Sequence, residues 1–388
     1  MRVAHVITRL VIGGAQENTI ASVIGLRQKP GIELTLISGP TIGPEGSLES
    51  VARSIPGLLT IVPELVRPVH PWKDVRAYAK LTRVLREQRP HIVHTHSGKA
   101  GFIGRLAARP ARVPIVIHHI HGPSFGPWQG ALPNLVFTAA ERIAGRTTDH
   151  FLCSAAAMGR LYLAAGIGKP EQYTRLFSGF DVTPFAKATD SIELRARLGL
   201  NESDFVVGKI GRLAPLKGHA DLIAAAPAIL RAVPHARFLI IGDGKLRSHL
   251  ESQVRSAGLI SSFVFAGLIP PNEVPQHVGI MDCLVHLSYR EALSRALPQA
   301  LAAGKPVVSY DFDGADEVCL DGETGFLLRQ GDVAGVTERI IRLAGDAPLR
   351  RRLGQRGRAL VCESFTIEGM VQTQYELYRR LAAQKGIP

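Results

Sequence analysis

Short runs of β-branched and other apolar residues recur along the chain, each followed by a longer stretch with helical spacing, and this alternation constrains the fold most. Parallel neighbours cannot be joined by a tight turn, so a strand-helix-strand rhythm calls for parallel sheets with crossover helices. In the first half the runs fall at 2 to 8, 33 to 38, 59 to 62, 91 to 96, 115 to 120, 149 to 153 and 173 to 177. In the second half they fall at 205 to 210, 237 to 242, 263 to 266, 283 to 287, 306 to 310 and 325 to 328. Two doubly wound α/β units are expected. The separator is SGFDVTPFAKATDS at 178 to 191, where glycine, proline and polar residues interrupt the series. The expected domains are therefore 1–185 and 186–364, and a closing helix at 365–388 either completes the second domain or crosses back onto the first.

Composition narrows the class. A chain of 388 residues with 46% hydrophobic and 20% charged residues buries ordinary cores, which excludes disordered and fibrous classes. Its four cysteines, at 153, 283, 319 and 362, form no CxxC pair and fit neither a zinc ribbon nor a secreted disulfide framework, so a reducing cytoplasm is expected. The opening MRVAHVITRL is broken by His5, Thr8 and Arg9 and reads as a strand rather than a leader. Charge is unevenly spread: residues 1 to 180 carry 21 basic side chains against 10 acidic, and no carboxylate lies between Glu87 and Glu141. A basic first half is expected to meet something anionic. It lacks the basic-aromatic pattern of a nucleic-acid binder, so no nucleic acid is expected.

In open parallel sheets, ligands sit beyond the carboxyl ends of the strands, so loops that follow strands carry the chemistry. Gly13 and Gly14 open a helix after the first strand and would let backbone N–H groups approach a phosphate. After the first strand of the second half stands GRLAPLKG, where Gly211 precedes Arg212 and Lys217, a planar fork and a point charge suited to a diphosphate. Gly242 and Gly244 imitate a dinucleotide fingerprint, but Arg247 stands where its third glycine belongs, so they read as a tight turn at a cleft floor. From Tyr289 to Val308, a carboxylate at Glu291 precedes a turn and helix, with Gln299 eight residues on. Read as two helical turns apart, Glu291 and Gln299 would reach neighbouring points of one ligand, and the amides of Leu293, Ser294 and Arg295 would face an anion.

Taken in order, GGAQ at 13 to 16, HTHSGKAG at 94 to 101, HHIHG at 118 to 122, SGFD at 178 to 181, GRLAPLKG at 211 to 218, FAGLIP at 265 to 270, the E-x7-E-like block at 291 to 299 and DGADEVCLDGETGFLL at 313 to 328 resemble the retaining glycosyltransferases of family 4 over nearly the whole length. The resemblance implies the GT-B fold, two Rossmann-like domains facing a central cleft. It places the acceptor on the first domain and a nucleotide-diphosphate sugar on the second. It further implies that Gly14 lies near the donor phosphates, that Arg212 and Lys217 clamp the diphosphate, that Glu291 holds hydroxyls of the transferred sugar and that His121 lies beside it. Gly13, Gly211, Gly242, Leu293, Ser294, Arg295 and Gln299 complete the expected donor-binding set. Where this family carries a second glutamate for the ribose, this chain has Gln299, which hydrogen-bonds a diol without bringing charge.

The implied reaction is transfer with retention, the donor's own phosphate taking the acceptor proton, in polysaccharide or glycolipid synthesis. No cofactor is expected, and the Arg/Lys pair would replace a magnesium ion. Histidines 94, 96, 118, 119 and 121 invite a metal reading, since alternate strand residues share a face, but an all-histidine site without a carboxylate reads better as hydrogen-bonded core. On the helix from Trp72 to Gln88, Lys73, Arg76, Lys80 and Arg83 share one face, with Val75, Tyr78, Thr82 and Leu85 expected opposite. That face is either solvated or a peripheral contact with anionic lipid at the inner membrane face, where a lipid-linked or carbohydrate acceptor would be met. Two rival enzymes on the same architecture, a sugar-nucleotide epimerase and a phosphorylase, and a non-catalytic sugar-nucleotide-binding protein remain open at this level.

Overall fold

In this computed structural model, which describes residues 1–41 and 46–387, each expected strand is present to within two residues at either end. The first series comprises β1 (Arg2–Ile7), β2 (Glu33–Ser38), β3 (Leu59–Ile61), β4 (Ile92–His96), β5 (Ile115–Ile120), β6 (His150–Cys153) and β7 (Tyr173–Arg175). The second comprises β8 (Phe205–Ile210), β9 (Ala236–Ile241), β10 (Phe263–Gly267), β11 (Cys283–His286), β12 (Val307–Tyr310) and β13 (Gly325–Leu328). Every pairing between these strands is parallel. The sheet orders are β3-β2-β1-β4-β5-β6-β7 and β10-β9-β8-β11-β12-β13. Both run outward in opposite directions from a central pair, β1/β4 in one and β8/β11 in the other, and such a reversal opens a crevice at the carboxyl ends.

The chain divides into two compact units, Asp181–Thr366 and Met1–Phe180 joined by Ile367–Pro388. The helix Ile367–Gln384 packs on the helix Gly14–Arg27 within the first unit. A polar seam holds the two together: Met370 Sδ accepts from Asn18 Nδ2 at 2.9 Å and from the Gly179 amide at 3.2 Å, while Gln374 donates to Ser22 Oγ at 2.9 Å. Around that seam, Val371, Leu377, Tyr378 and Leu381 join a core with Val3, Ile7, Leu36 and Ile117 of the sheet. The opposite face of the same sheet is covered by the helices Pro71–Gln88 and Gly98–Ala108. With both faces covered, β4 and β5 are buried at every residue, which is why they read as unbroken apolar runs interrupted only by histidine and threonine.

The helix Pro71–Gln88 departs from the expected division of its faces. Its buried stripe is Ala77, Leu81, Thr82 and Leu85, whereas Val75 and Tyr78 lie outward at 63% and 38% exposure.

Docking of the Ile367–Gln384 helix depends on one missing side chain. A Cβ on Gly25 would lie 2.5 Å from Cγ2 of Val371, and a valine in a helix is held to one rotamer and cannot swing aside. We expect Gly25→Val to destabilise the first unit by about 1–3 kcal/mol, the range for overpacking. In a Val371→Ala background the loss should shrink, as read by denaturant unfolding of the two single variants and the double variant.

Candidate active site

The reversal between β8 and β11 decides which loops of the second unit meet. Arg212 and Lys217 lie on the loop after β8, and Glu291 lies on the loop after β11. These strands are neighbours, Cys283 opposite Val207 and Leu284 opposite Gly208, so their following loops converge although 74 residues separate Lys217 from Glu291. The Lys217 ammonium contacts Oε1 of Glu291, and Nε2 of His286 lies 3.1 Å from Oε2. Burial first, then Lys209, Lys217 and His219, hold His286 well below its usual range, so it is neutral. It therefore donates through Nε2–H and leaves its buried, unpartnered Nδ1 as a bare lone pair. Both oxygens of Glu291 are thus held by donors, and the carboxylate has one orientation.

Positive charge is concentrated around it. Lys217 is 13% exposed, and burial together with the nearby Arg212 guanidinium pushes its ammonium down to about 8, with Glu291 alongside. Lys209, on β8 and 2% exposed, is pushed to about 7 by burial and by Lys217, with Asp221 opposing. Arg212 itself is exposed, and its carbonyl oxygen lies 3.0 Å from Nε2 of His219, which ties the loop to the first residue of the helix His219–Ala232. Three cations beside one oriented carboxylate form a site suited to an anion that also carries hydroxyl groups.

Glycines let the backbone close up here. At Gly218 φ is +61°, and a Cβ would lie 1.9 Å from the Leu287 carbonyl oxygen, so only glycine brings the two loops this close. Gly242, with φ of +129°, stands with its Cβ position 2.2 Å from the Gly211 carbonyl oxygen, and the Gly211 amide donates to Ile241 O at 2.9 Å. Both glycines therefore serve the tight turn at the carboxyl ends of β8 and β9.

The stretch from Glu291 to Gln299 differs from the two-turn spacing expected of it. Its helix begins only at Ala296, with Arg295 as the flanking residue, so Glu291, Leu293 and Ser294 lie on a loop. The amides of Leu293, Ser294 and Arg295 are accordingly not first-turn amides, and Pro298 removes a further donor from the turn that does form. The Glu291 amide instead donates to Asp313 Oδ2 at 3.2 Å, which anchors the loop to the segment after β12. Gln299 is half-buried on the helix Ala296–Ala302.

In the first unit Gly13 flanks the helix that Gly14 opens, and the Glu17 amide donates to the Gly13 carbonyl at 2.9 Å. His121 follows β5 directly. Its Nε2 lies 3.0 Å from His96 Nδ1, and His96 Nε2 lies 2.9 Å from His5 Nδ1. Both His5 and His121 are pushed down to about 3 by burial, and His94, His96, His118 and His119 are held well below their usual range chiefly by the same cause. Ring nitrogens of His5, His94 and His96, and of His96, His119 and His121, come within 4.8 Å of one another. The His119 and His121 rings, however, stack face to face with centroids 3.9 Å apart, an arrangement in which in-plane lone pairs do not converge on one point.

Several members of these clusters were not singled out from sequence: Lys209, His286 and Asp313 in the second unit, His5 and Tyr378 in the first. Lys209 had a signal, a lysine inside the otherwise buried strand FVVGKI.

Two family sequence models match the chain, one on each unit. A model described as glycosyl transferase 4-like domain covers residues 14–176, and one described as glycosyl transferases group 1 covers 190–360. The chain is 27% identical over 328 residues to the UDP-Gal:alpha-D-GlcNAc-diphosphoundecaprenol alpha-1,3-galactosyltransferase of Escherichia coli, covering 84% of each. It is 31% identical to the 2-deoxystreptamine N-acetyl-D-glucosaminyltransferase of Streptomyces fradiae, over 68% of this chain and 63% of that one. Among solved structures, Anabaena HepE in complex with UDP and glucose superposes with a TM-score of 0.82 at 22% identity, covering 98% of this chain and 100% of that one. With one glycosyltransferase model on each of its two Rossmann-like sheets and curated transferases aligned along most of its length, the chain is a glycosyltransferase of the GT-B fold.

Proposed function

We propose that the enzyme transfers a sugar from a nucleoside diphosphate donor bound at the Arg212–Lys217–Glu291 site, with retention of anomeric configuration. The convergence of Lys217, Glu291 and His286 at the β8/β11 crevice is the observation that carries this reading. As the glycosidic bond to the donor breaks, negative charge grows on the diphosphate, and Arg212 and Lys217 neutralise it. Glu291, its oxygens fixed by two donors, accepts from hydroxyls of the sugar. Gln299 meets the ribose, and for His121, Gly13 and Gly14 we keep the sugar and phosphate roles that the family resemblance implies. The acceptor attacks from the face the diphosphate leaves, and a leaving phosphate oxygen takes the acceptor proton, so no covalent enzyme intermediate forms. The two cations do the work that a magnesium ion does elsewhere.

We place the acceptor on the first unit and infer that it is lipid-linked, as the name of the Escherichia coli relative says of that enzyme's acceptor. Among the described residues no helix is long and apolar enough to cross a membrane. Contact with a bilayer at its cytoplasmic face is then peripheral. The helix Pro71–Gln88 carries Lys73, Arg76, Lys80 and Arg83 beside exposed Trp72 and Val75, and the helix Ala131–Gly145 exposes Leu132, Leu135 and Val136 at 71%, 64% and 55%. Both helices pack beside Gly98–Ala108, so basic and apolar groups lie on neighbouring helices of the first unit.

Arg212→Ala and Lys217→Ala should each reduce kcat by about 10²–10³, the cost of losing one preorganised charge partner, measured with any donor that raises the melting temperature in a screen of UDP-, GDP- and ADP-sugars. Normal turnover in both variants would contradict the reading, and consumption of donor without an acceptor would favour epimerisation. Because the Lys217 ammonium is lowered to about 8, it is charged below that pH and neutral above it. Donor kcat/KM should therefore fall as pH rises through about 8, and Lys217→Arg, which stays protonated, should lose that limb. Sedimentation with vesicles should recover more protein on anionic than on neutral lipid, each basic residue near the surface contributing about 1 kcal/mol; equal recovery removes the membrane contact.

A further inference from the structure

We propose that Tyr378, His5 and His96 are positioning residues that fix His121 in the tautomer with its proton on Nδ1. The inference rests on the reading of His121 as a group at the sugar site. It comes from one continuous hydrogen-bonded chain: the Tyr378 hydroxyl lies 3.1 Å from His5 Nε2, His5 Nδ1 lies 2.9 Å from His96 Nε2, and His96 Nδ1 lies 3.0 Å from His121 Nε2. The ring centroids along this path are 5.0 and 5.3 Å apart, so the nitrogens meet edge to edge rather than under stacked faces. Beyond His121, its Nδ1 lies 3.5 Å from Ser154 Oγ, which is 3.4 Å from His119 Nε2. At the other end the Tyr378 hydroxyl also contacts His94 Nδ1.

A neutral imidazole has one N–H and one lone pair, so each link in the chain dictates the next. Burial keeps all these rings neutral. Four arrangements satisfy every link, but two of them strand the hydroxyl proton of Tyr378 or an Nδ1–H on His119, both 0% exposed, and are set aside. In the first of the remaining two, Tyr378 donates to His94, the imidazoles from His5 to His121 carry protons on Nε2, and His94 must carry its own on Nε2. In the second, His94 Nδ1–H donates to Tyr378, Tyr378 donates to His5 Nε2, His5 and His96 donate onward from Nδ1, and His121 carries its proton on Nδ1.

The two arrangements differ at an atom that can be inspected. His94 Nε2 is buried and has no partner, and neither has His119 Nδ1. An N–H left bare in the interior is rarer and costlier than an unused lone pair. Seven protons serve six links, so one always lacks an acceptor within the row; in the second arrangement Ser154 Oγ accepts from both His121 Nδ1–H and His119 Nε2–H, and the proton left over is the serine's own, on a hydroxyl that rotates and lies beside the half-buried His121. The first forces a bare N–H at His94. The chain of contacts therefore selects the second, and the proton of His121 sits where its contact with Ser154 is longest and a ligand oxygen competes most easily.

Histidine-selective ¹⁵N labelling and long-range ¹H–¹⁵N NMR read the tautomer directly, with His121→Gln assigning the signal. The expected wild-type result is a protonated Nδ1 and a bare Nε2 at His121; a proton on Nε2 overturns the proposal, whatever the enzyme's activity. In Tyr378→Phe, checked for folding by thermal melting, the His121 signals should shift toward a tautomer mixture and kcat should fall roughly tenfold with donor KM unchanged. Adding Tyr378→Phe to His121→Gln should cost nothing further. An additive loss, or stoichiometric zinc in the purified wild-type protein by elemental analysis, overturns it too. Absence of transferase activity alongside the expected spectrum refutes the functional reading while leaving the tautomer assignment standing.

Discussion

Everything in the second unit follows from β8 and β11 lying side by side while their crossovers run to opposite edges of the sheet. No other placement of these strands would seat a lysine at 217 on a glutamate at 291, because the loops after neighbouring parallel strands are the only ones that share a crevice. The contact also explains the site's electrostatics. Glu291 sits amid Arg212, Lys217 and Lys209, and the low values of both lysines record first the cost of burying an ammonium and then its repulsion by the neighbouring cation. In the proposed reaction the donor diphosphate would offset that repulsion.

Much of the fold was legible in the residues because the sheets are covered on both faces. Buried parallel strands must be apolar throughout, and that requirement printed runs such as FVVGKI and IVHTH where the strands are found. The site was legible where a residue follows its strand at once, as Arg212 follows β8. It was misjudged where local composition imitates structure. The segment after Glu291 is rich in alanine and leucine and reads as helix, yet the chain must first climb out of β11 and fix its amide on Asp313, so helical geometry starts at Ala296. Tyr378 was invisible for a simpler reason. Its partner His94 is 284 residues away, and no pattern of spacing announces a contact between a closing helix and the fourth strand.

The two units hold ionisable groups in opposite ways. Around Glu291 charges are retained and crowded together. Around His121 they are suppressed, six imidazoles being kept neutral so that direction of hydrogen bonding, rather than charge, passes along the row. Histidine suits the second task because no other neutral side chain both gives and takes a hydrogen bond across a rigid ring.

The helix Ile367–Gln384 has a consequence for synthesis. In the first unit Val3, Ile7, Leu36 and Ile117 share their core with Val371, Leu377 and Tyr378, and those emerge from the ribosome after the entire second unit. Domains of most proteins mature in the order they are translated. Here the domain begun first is the one completed last, and a nascent chain stalled before residue 367 lacks the helix that completes the core begun by Gly14–Arg27 and the sheet.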